Sequence, residues 1–276
     1  MAETPPPPPV RRRTFSATTL PGFAAVAVTV FVALYLPIAT LVVFSFNAAN
    51  SMSDWGGFSL RWYEAAWANR AVQEAAGRSL LIATIASLAS TVLATLAALG
   101  TTRQGPFRGR MAIWGAINTP LMVPEIVTGV ALLILFGTVR AWTGYQGLGY
   151  LVLAHTAFCI PFAYLPIRAR LERMDRLLEL AAADLYASPR RAFLRITLPL
   201  LMPGVLAGAM LAFVISLDDV IITEFVKSAG QDTLPTYMLG QFRRTLTPEV
   251  NAIATALLGL TLVLLTAFFL ITRRRG

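Results

Sequence analysis

The sequence predicts an all-α, polytopic membrane protein with six transmembrane helices. Three observations carry that expectation. Of the 276 residues, 56% are hydrophobic and only 13% charged. Six apolar stretches are each long enough to cross a hydrocarbon core of about 30 Å as a helix. The arginines fall between those stretches rather than inside them. Such a composition excludes an ordinary soluble enzyme, and the net charge of +9 reads as membrane topology rather than as a nucleic-acid footprint. The single cysteine, Cys159, leaves no internal disulfide and no multi-cysteine metal or redox site, and the single histidine, His155, leaves no histidine-rich metal cluster.

The predicted spans run from Phe23 to Phe44, Ser79 to Leu99, Ile113 to Phe136, Leu148 to Ile167, Leu198 to Ile222 and Ile253 to Ile271. Without water to satisfy the backbone, segments of this length must be helical, because strands would be shorter and would alternate. The first span follows Arg11 to Arg13, yet its apolar run is longer than that of a signal peptide, so it reads as an uncleaved helix. Ahead of it, residues 1–22 form a Pro/Arg-rich cytoplasmic tail in which Pro5 to Pro9 favour a solvated polyproline conformation. Small residues at helical spacing along span two, Ala83, Ala86, Ser87, Ser90 and Ala94, let another helix approach closely.

Orientation follows from charge. With a cytoplasmic N-terminus, the inner segments 1–22, 100–112, 168–197 and 272–276 hold 16 of the 23 positive residues, and the outer segments hold 7. Both termini therefore lie inside. The long outer loops carry Trp55, Trp62, Tyr63, Trp67, Tyr237 and Phe242, which suit either an interfacial aromatic belt or a docking surface.

The inner segment Arg168 to Thr197 is 30 residues long, with 7 arginines, far more than a helix hairpin needs. Leu177, Leu178, Ala181, Ala182 and Leu185 fall on one stripe of a short helix, with Arg176, Glu179 and Asp184 away from it. Ser188 then reads as an N-cap and Pro189 as the first residue of a second short helix running toward Ile196. Pattern alone admits two roles: a helix resting on anionic lipid headgroups, or a helix offered to a groove in a cytoplasmic protein.

Leu180-Ala181-Ala182, three residues, Tyr186, nine residues and Ile196-Thr197-Leu198-Pro199 resemble the EAA loop of type I ABC-transporter permeases. That family's pattern is Glu-Ala-Ala, three residues, Gly, nine residues and Ile-x-Leu-Pro. Leu180 stands in the glutamate position, with Glu179 one place earlier, and Tyr186 stands in the glycine position, where a Cβ obstructs a tight turn or close approach. Further segments resemble the second permease subunit of putrescine and spermidine importers: Leu20-Pro21-Gly22-Phe23, Ser45-Phe46-Asn47, Pro120-Leu121-Met122-Val123-Pro124-Glu125, Ser216-Leu217-Asp218-Asp219, Thr233-Leu234-Pro235 and Pro248-Glu249-Val250-Asn251-Ala252.

The resemblance implies a multi-pass inner-membrane subunit with no catalytic residues of its own. Its six-helix permease domain would span 23–276, with a family core of about 75–270 and a coupling loop over 168–197. It implies a second permease subunit, two cytoplasmic ATPases that bind ATP and Mg, a periplasmic solute-binding protein and surrounding lipid. Glu179, Leu180, Ala181, Ala182, Asp184, Tyr186, Ser188, Pro189, Ile196, Leu198 and Pro199 are then the expected ATPase-coupling residues. The chain carries no phosphate-binding loop, so no cofactor or metal is expected in it.

Acids inside the spans are the expected solute contacts, since a carboxylate in hydrocarbon is costly. Glu125 lies about 18 Å along span three, near the midplane, between kink-forming Pro120 and Pro124 and the remainder of the span. Asp218 and Asp219 lie in the outer third of span five. Neighbours on a helix point about 100° apart, so only one of them faces a narrow route. Glu224, at the outer rim, reads as a solvated helix-end charge, and His155 as a neutral packing residue. Glu125 also suits a self-contained ion-coupled transporter, but no inverted repeat is visible and the long inner loop would have no role there. Putrescine, spermidine and other organic cations are all compatible with these acids.

Overall fold

The fold is described from a computed structural model, which covers residues 22–51, 54–105, 107–244 and 247–273. The tail expected over 1–22 lies, but for Gly22, outside the described residues. The described chain is helical throughout, with one isolated antiparallel bridge between Asn47 and Phe58. Its helices are α1 (Phe23–Phe44), α2 (Arg61–Ala68), α3 (Arg70–Thr102), α4 (Arg110–Met122), α5 (Glu125–Thr143) and α6 (Gly149–Arg173), followed by α7 (Leu177–Asp184), α8 (Pro189–Ala192), α9 (Leu198–Asp218), α10 (Ile221–Val226), α11 (Leu234–Arg244) and α12 (Glu249–Arg273). Six helical segments are long and apolar enough to cross a membrane, matching the expected number.

The core is a three-helix packing of α3, α6 and α9. The small-residue stripe of span two, Ala83, Ala86, Ser87, Ser90 and Ala94, is buried in this packing, so the close approach it permits is used within the chain itself. On α9, where it crosses α6, Gly204 and Gly208 make the same allowance. A Cβ on Gly208 would stand 2.7 Å from the carbonyl oxygen of Ala163, and one on Gly204 would stand 2.6 Å from Cβ of Arg170. Tyr164 is fully buried and its hydroxyl shares a 2.9 Å hydrogen bond with Thr101, tying α6 to the inner end of α3. By contrast α1 buries none of its 22 residues, so its apolar surface is left for lipid or another subunit.

Four expectations about the spans need correction. Span two is longer than Ser79 to Leu99. It extends outward to Arg70, because Val72 and Ala75 pack on Leu234 and Ile253 beyond the hydrocarbon-like stretch. Span three is not continuous. It breaks between α4 and α5, where Val123 is extended (φ −95°, ψ 134°) because the following Pro124 disfavours helical backbone at the residue before it. Span five ends at Asp218 rather than Ile222, and Asp219 is extended (φ −65°, ψ 132°) before α10 begins. At its inner end the second short cytoplasmic helix is not separate from span five, for α8 runs into α9 through a π-helical stretch, Phe193–Thr197. Pro199 lacks an N–H and its ring crowds the carbonyl four residues earlier, and widening the preceding turn relieves both faults.

Candidate functional site

The two breaks bring the chemistry together. Glu125 is the first residue of α5, immediately after the break in span three, while Asp218 ends α9 and Asp219 starts the break in span five. All three line one cavity of about 430 Å³, together with Phe158 and Phe162 of α6. The carboxyl of Glu125 lies beside that of Asp219. The elements are locked to one another where α10 packs on α5: a Cβ on Gly129 would meet the Phe225 ring at 2.7 Å. Interrupted helices are tolerated at membrane depth only where the freed backbone is buried in protein or lines a cavity, and here the interruptions and the acids coincide.

The three acids are not equivalent. Asp219 is buried and accepts hydrogen bonds from the backbone N–H groups of Ile222 (3.2 Å) and Thr223 (2.8 Å) and from the Thr223 hydroxyl (2.7 Å), so it caps α10. This competition for backbone donors is the physical reason span five stops where it does. Asp218 is exposed, on the last turn of α9, and Glu125 is half-buried. Behind Asp219 sits His155, 1% exposed, with Nδ1 2.8 Å from the Ser216 hydroxyl, and Nε2 3.0 Å from the Thr223 hydroxyl and 3.4 Å from Asp219 Oδ2. The histidine is thus a packing residue with a full set of partners. Thr223, Phe158 and Phe162 were not singled out by sequence, and Ser216 entered only as the first residue of the segment that holds Asp218 and Asp219. The one available signal was that His155, Phe158 and Phe162 recur at helical spacing, on one face of α6.

The expected coupling residues divide into two groups. Within the predicted stripe of α7 only Ala182 is buried, whereas Leu177, Leu178 and Leu185 are exposed, as are Leu180, Asp184, Ser188 and Pro189. Tyr186 is 97% exposed and takes the left-handed conformation (φ 57°), the backbone that a glycine at this position would supply without strain. Glu179 turns the other way. Its Oε1 accepts from Thr197 Oγ1 (3.0 Å) and meets Arg103 Nε at 3.3 Å. Arg176 of the same segment donates to the carbonyl of Thr102. Ile196, Leu198 and Pro199 form the base of span five, not part of the exposed face of α7. Ser188 occupies the N-cap position of α8 with extended backbone, but contrary to expectation its side chain makes no capping hydrogen bond.

On the outer face Glu224 is not a solvated charge. It pairs with Lys227 (2.6 Å) and Arg243 (3.7 Å), and Lys227 also binds Asp232 (2.7 Å). Burial alone would lower the pKa of Lys227, but the hydrogen bonds and charges of Asp232 and Glu224 outweigh it and hold the ammonium above its ordinary value. Among the described residues no group of three or more His, Cys, Asp or Glu side chains is arranged to hold a metal ion.

A bundle of six spanning helices, an interrupted-helix cavity at membrane depth and an exposed cytoplasmic helix define a membrane-embedded transport subunit. Residues 90–274 match the family described as "Binding-protein-dependent transport system inner membrane component", and the chain belongs to that family of multi-pass inner-membrane proteins. It is 40% identical over 232 residues to the putrescine transport system permease protein PotI of Escherichia coli (strain K12), covering 83% of each chain. It is also 40% identical over 248 residues to the spermidine/putrescine transport system permease protein PotC of Haemophilus influenzae, covering 90% of this chain and 95% of the relative. The fold is similar to that of a chain in a bacterial ABC transporter that imports the acidic polysaccharide alginate (TM-score 0.68, 14% identity, covering 91% of this chain and 94% of that one). It is likewise similar to a chain in the MetNI methionine ABC transporter (TM-score 0.61, 16% identity, covering 78% and 96%). These two likenesses speak to fold alone.

Proposed function

We propose that this chain is the membrane-spanning subunit of an ATP-driven importer of polyamines, putrescine or spermidine, and that the cation passes Glu125 and Asp218. The observation that carries this reading is the meeting of two helix breaks at one acid-lined cavity, in a chain whose relatives are named for putrescine and spermidine transport.

The charge arrangement favours a cation over an anion. Two of the three carboxylates stand where helix N-termini concentrate positive partial charge, Glu125 on the first turn of α5 and Asp219 as the cap of α10. Each offsets a dipole end that would otherwise attract an anion. Asp218 stands at the opposite pole, the C-terminus of α9, where the last carbonyls lack helical partners and the dipole adds to the carboxylate's charge. With Glu125 beside Asp219, an ammonium entering the cavity relieves carboxylate repulsion in a medium of low dielectric. Phe158 and Phe162 line the same volume, and aromatic rings attract cations. Nothing in this arrangement makes or breaks a covalent bond.

The coupling reading places α7 in a groove of a cytoplasmic ATPase, with Leu178, Leu180, Leu185 and Tyr186 as the presented surface. ATP and Mg belong to two such ATPase subunits. A second permease subunit would cover α1 and the cavity's open side, and a periplasmic binding protein would deliver solute to the outer face. Glu125→Gln tests the route, with uptake of labelled putrescine measured in intact cells at matched protein levels. A fall of tenfold or more, about 1.4 kcal/mol or greater, is expected. Unchanged affinity and rate would remove Glu125 from the path. Uptake persisting at full rate after ATP depletion would instead favour an ion-coupled transporter.

A further inference from the structure

His155 takes no part in the route just described, yet its side chain bonds both sides of the break in span five. Ser216 lies on the last turns of α9, and Thr223 lies on α10. Donor and acceptor accounting fixes how the imidazole is used. A hydroxyl has one hydrogen, and that of Thr223 is committed to Asp219 Oδ2 at 2.7 Å. The 3.0 Å contact between Thr223 Oγ1 and His155 Nε2 therefore needs the hydrogen on Nε2. In the neutral ring Nδ1 is then an acceptor, and the Ser216 hydroxyl donates to it at 2.8 Å. The result is an unbroken run of hydrogen bonds from Ser216 through His155 and Thr223 to Asp219, all buried.

The same helix face connects this run to the cavity. Cys159, one turn on from His155, directs its thiol at the carbonyl of Ala212 (3.4 Å), and Phe158 and Phe162 line the same cavity as Asp218. His155 thus ties the helix that carries these aromatic residues to both sides of the break that follows Asp218. We propose that His155 is a positioning residue for cation binding. It braces the break in span five against span four, so that Asp218 and the free carbonyl end of α9 keep their aim into the cavity. This rests on the reading that Asp218 and Glu125 meet the cation.

The test uses the purified transporter complex without its binding protein, and labelled putrescine as the probe, with affinity expressed per assembled complex. His155→Leu, which removes both hydrogen bonds of the brace, is expected to weaken binding about three- to tenfold through the altered site geometry. His155→Gln, which keeps a donor for Thr223, should recover most of the loss. Because the histidine acts through the position of Asp218, adding His155→Leu to Asp218→Asn should cost little more than Asp218→Asn alone. A residue needed only for folding would lower the amount of complex and leave affinity per complex unchanged, and that outcome overturns the proposal, as does full additivity. Should His155→Leu fail to accumulate, Ser216→Ala and Thr223→Val each cut one side of the brace, and unchanged affinity in both overturns it too. If Glu125→Gln and Asp218→Asn leave binding intact, the cation route falls and this inference with it. If they weaken binding and the brace variants do not, the inference alone fails.

Discussion

The amide of Ala187 donates to the carbonyl of Ala182 across 3.0 Å, and the amide of Tyr186 donates to the carbonyl of Ala183 across 2.9 Å. Together these bonds close α7 in a Schellman turn, whose left-handed residue is most often glycine. Tyr186 occupies it at φ 57° with its ring in solvent, so strain is accepted with no packing gained inside the chain. An L-residue in this conformation costs roughly 1–2 kcal/mol, part of which glycine gives back through its greater unfolded-state freedom. Tyr186→Gly should therefore stabilise the end of α7 by about 0.5–1 kcal/mol. Slower hydrogen exchange across residues 177–187 of the purified complex is the expected readout, and faster exchange would show that the ring contributes something the turn does not reveal.

Asp218 and Asp219 should part company under mutation although they are adjacent. Asp219→Asn replaces an oxygen that accepts from both the N–H and the hydroxyl of Thr223 with a group that can present a donor to them, so it should cost about 1–3 kcal/mol of stability. Asp218 is exposed and caps nothing, so Asp218→Asn should leave thermal stability within about 0.5 kcal/mol while abolishing most uptake. Thermal melts in detergent set beside cellular uptake separate the two. Equal melting points for both variants would contradict the distinct roles.

How far the sequence foretold this site is clear from these same residues. Apolar length located all six spans, since hydrophobicity summed over about 20 residues is insensitive to local detail. It joined what the chain divides, because Val123-Pro124 and Asp219 interrupt helices without interrupting hydrophobicity. The carboxylates were found individually, as acids in apolar runs, but their convergence depends on two breaks coming together in space. The brace of Ser216, His155 and Thr223 joins residues 61 and 68 positions apart, which no periodicity records. Glu179 was legible as a polar residue off the α7 stripe, but not its direction, because the residues that receive it, Arg103 and Thr197, come from two other elements.

The α6–α9 crossing should be intolerant of any side chain at Gly208. The nearest atom to an added Cβ is a backbone oxygen, Ala163 O at 2.7 Å, and backbone cannot rotate away as a flexible side chain can. Gly208→Ala is expected to destabilise by about 1–3 kcal/mol through overpacking. Gly77, within α3, has open space around its Cβ position, and Gly77→Ala should stabilise by about 0.5–1 kcal/mol through helix propensity alone. Melting temperatures moving in opposite directions for the two alanines are the expected result, and a shift of the same sign would mean that packing at the crossing relaxes freely.

Glu179 joins three elements at the cytoplasmic end: α7 that carries it, the C-cap of α3 at Arg103, and the base of span five through Thr197. On the proposed coupling reading, its direction away from the exposed leucines separates two functions that the EAA resemblance groups together, holding an ATPase and passing its motion to the spans. Glu179→Ala should leave the exposed face of α7, and hence assembly with the ATPase, unchanged. Movement of α7 would then reach α3 and α9 only through weaker contacts. Solute moved per ATP hydrolysed should fall about tenfold, a coupling loss of the size typical between linked sites. Exchanging the charges, with Arg103→Glu and Glu179→Arg together, should restore part of it, since the pair is largely shielded from solvent and its attraction depends little on which side carries which sign. Reconstituted vesicles give both rates in one preparation. If Glu179→Ala instead prevents the ATPase from co-purifying, the carboxylate belongs to the docking surface, and the division between grip and transmission is wrong.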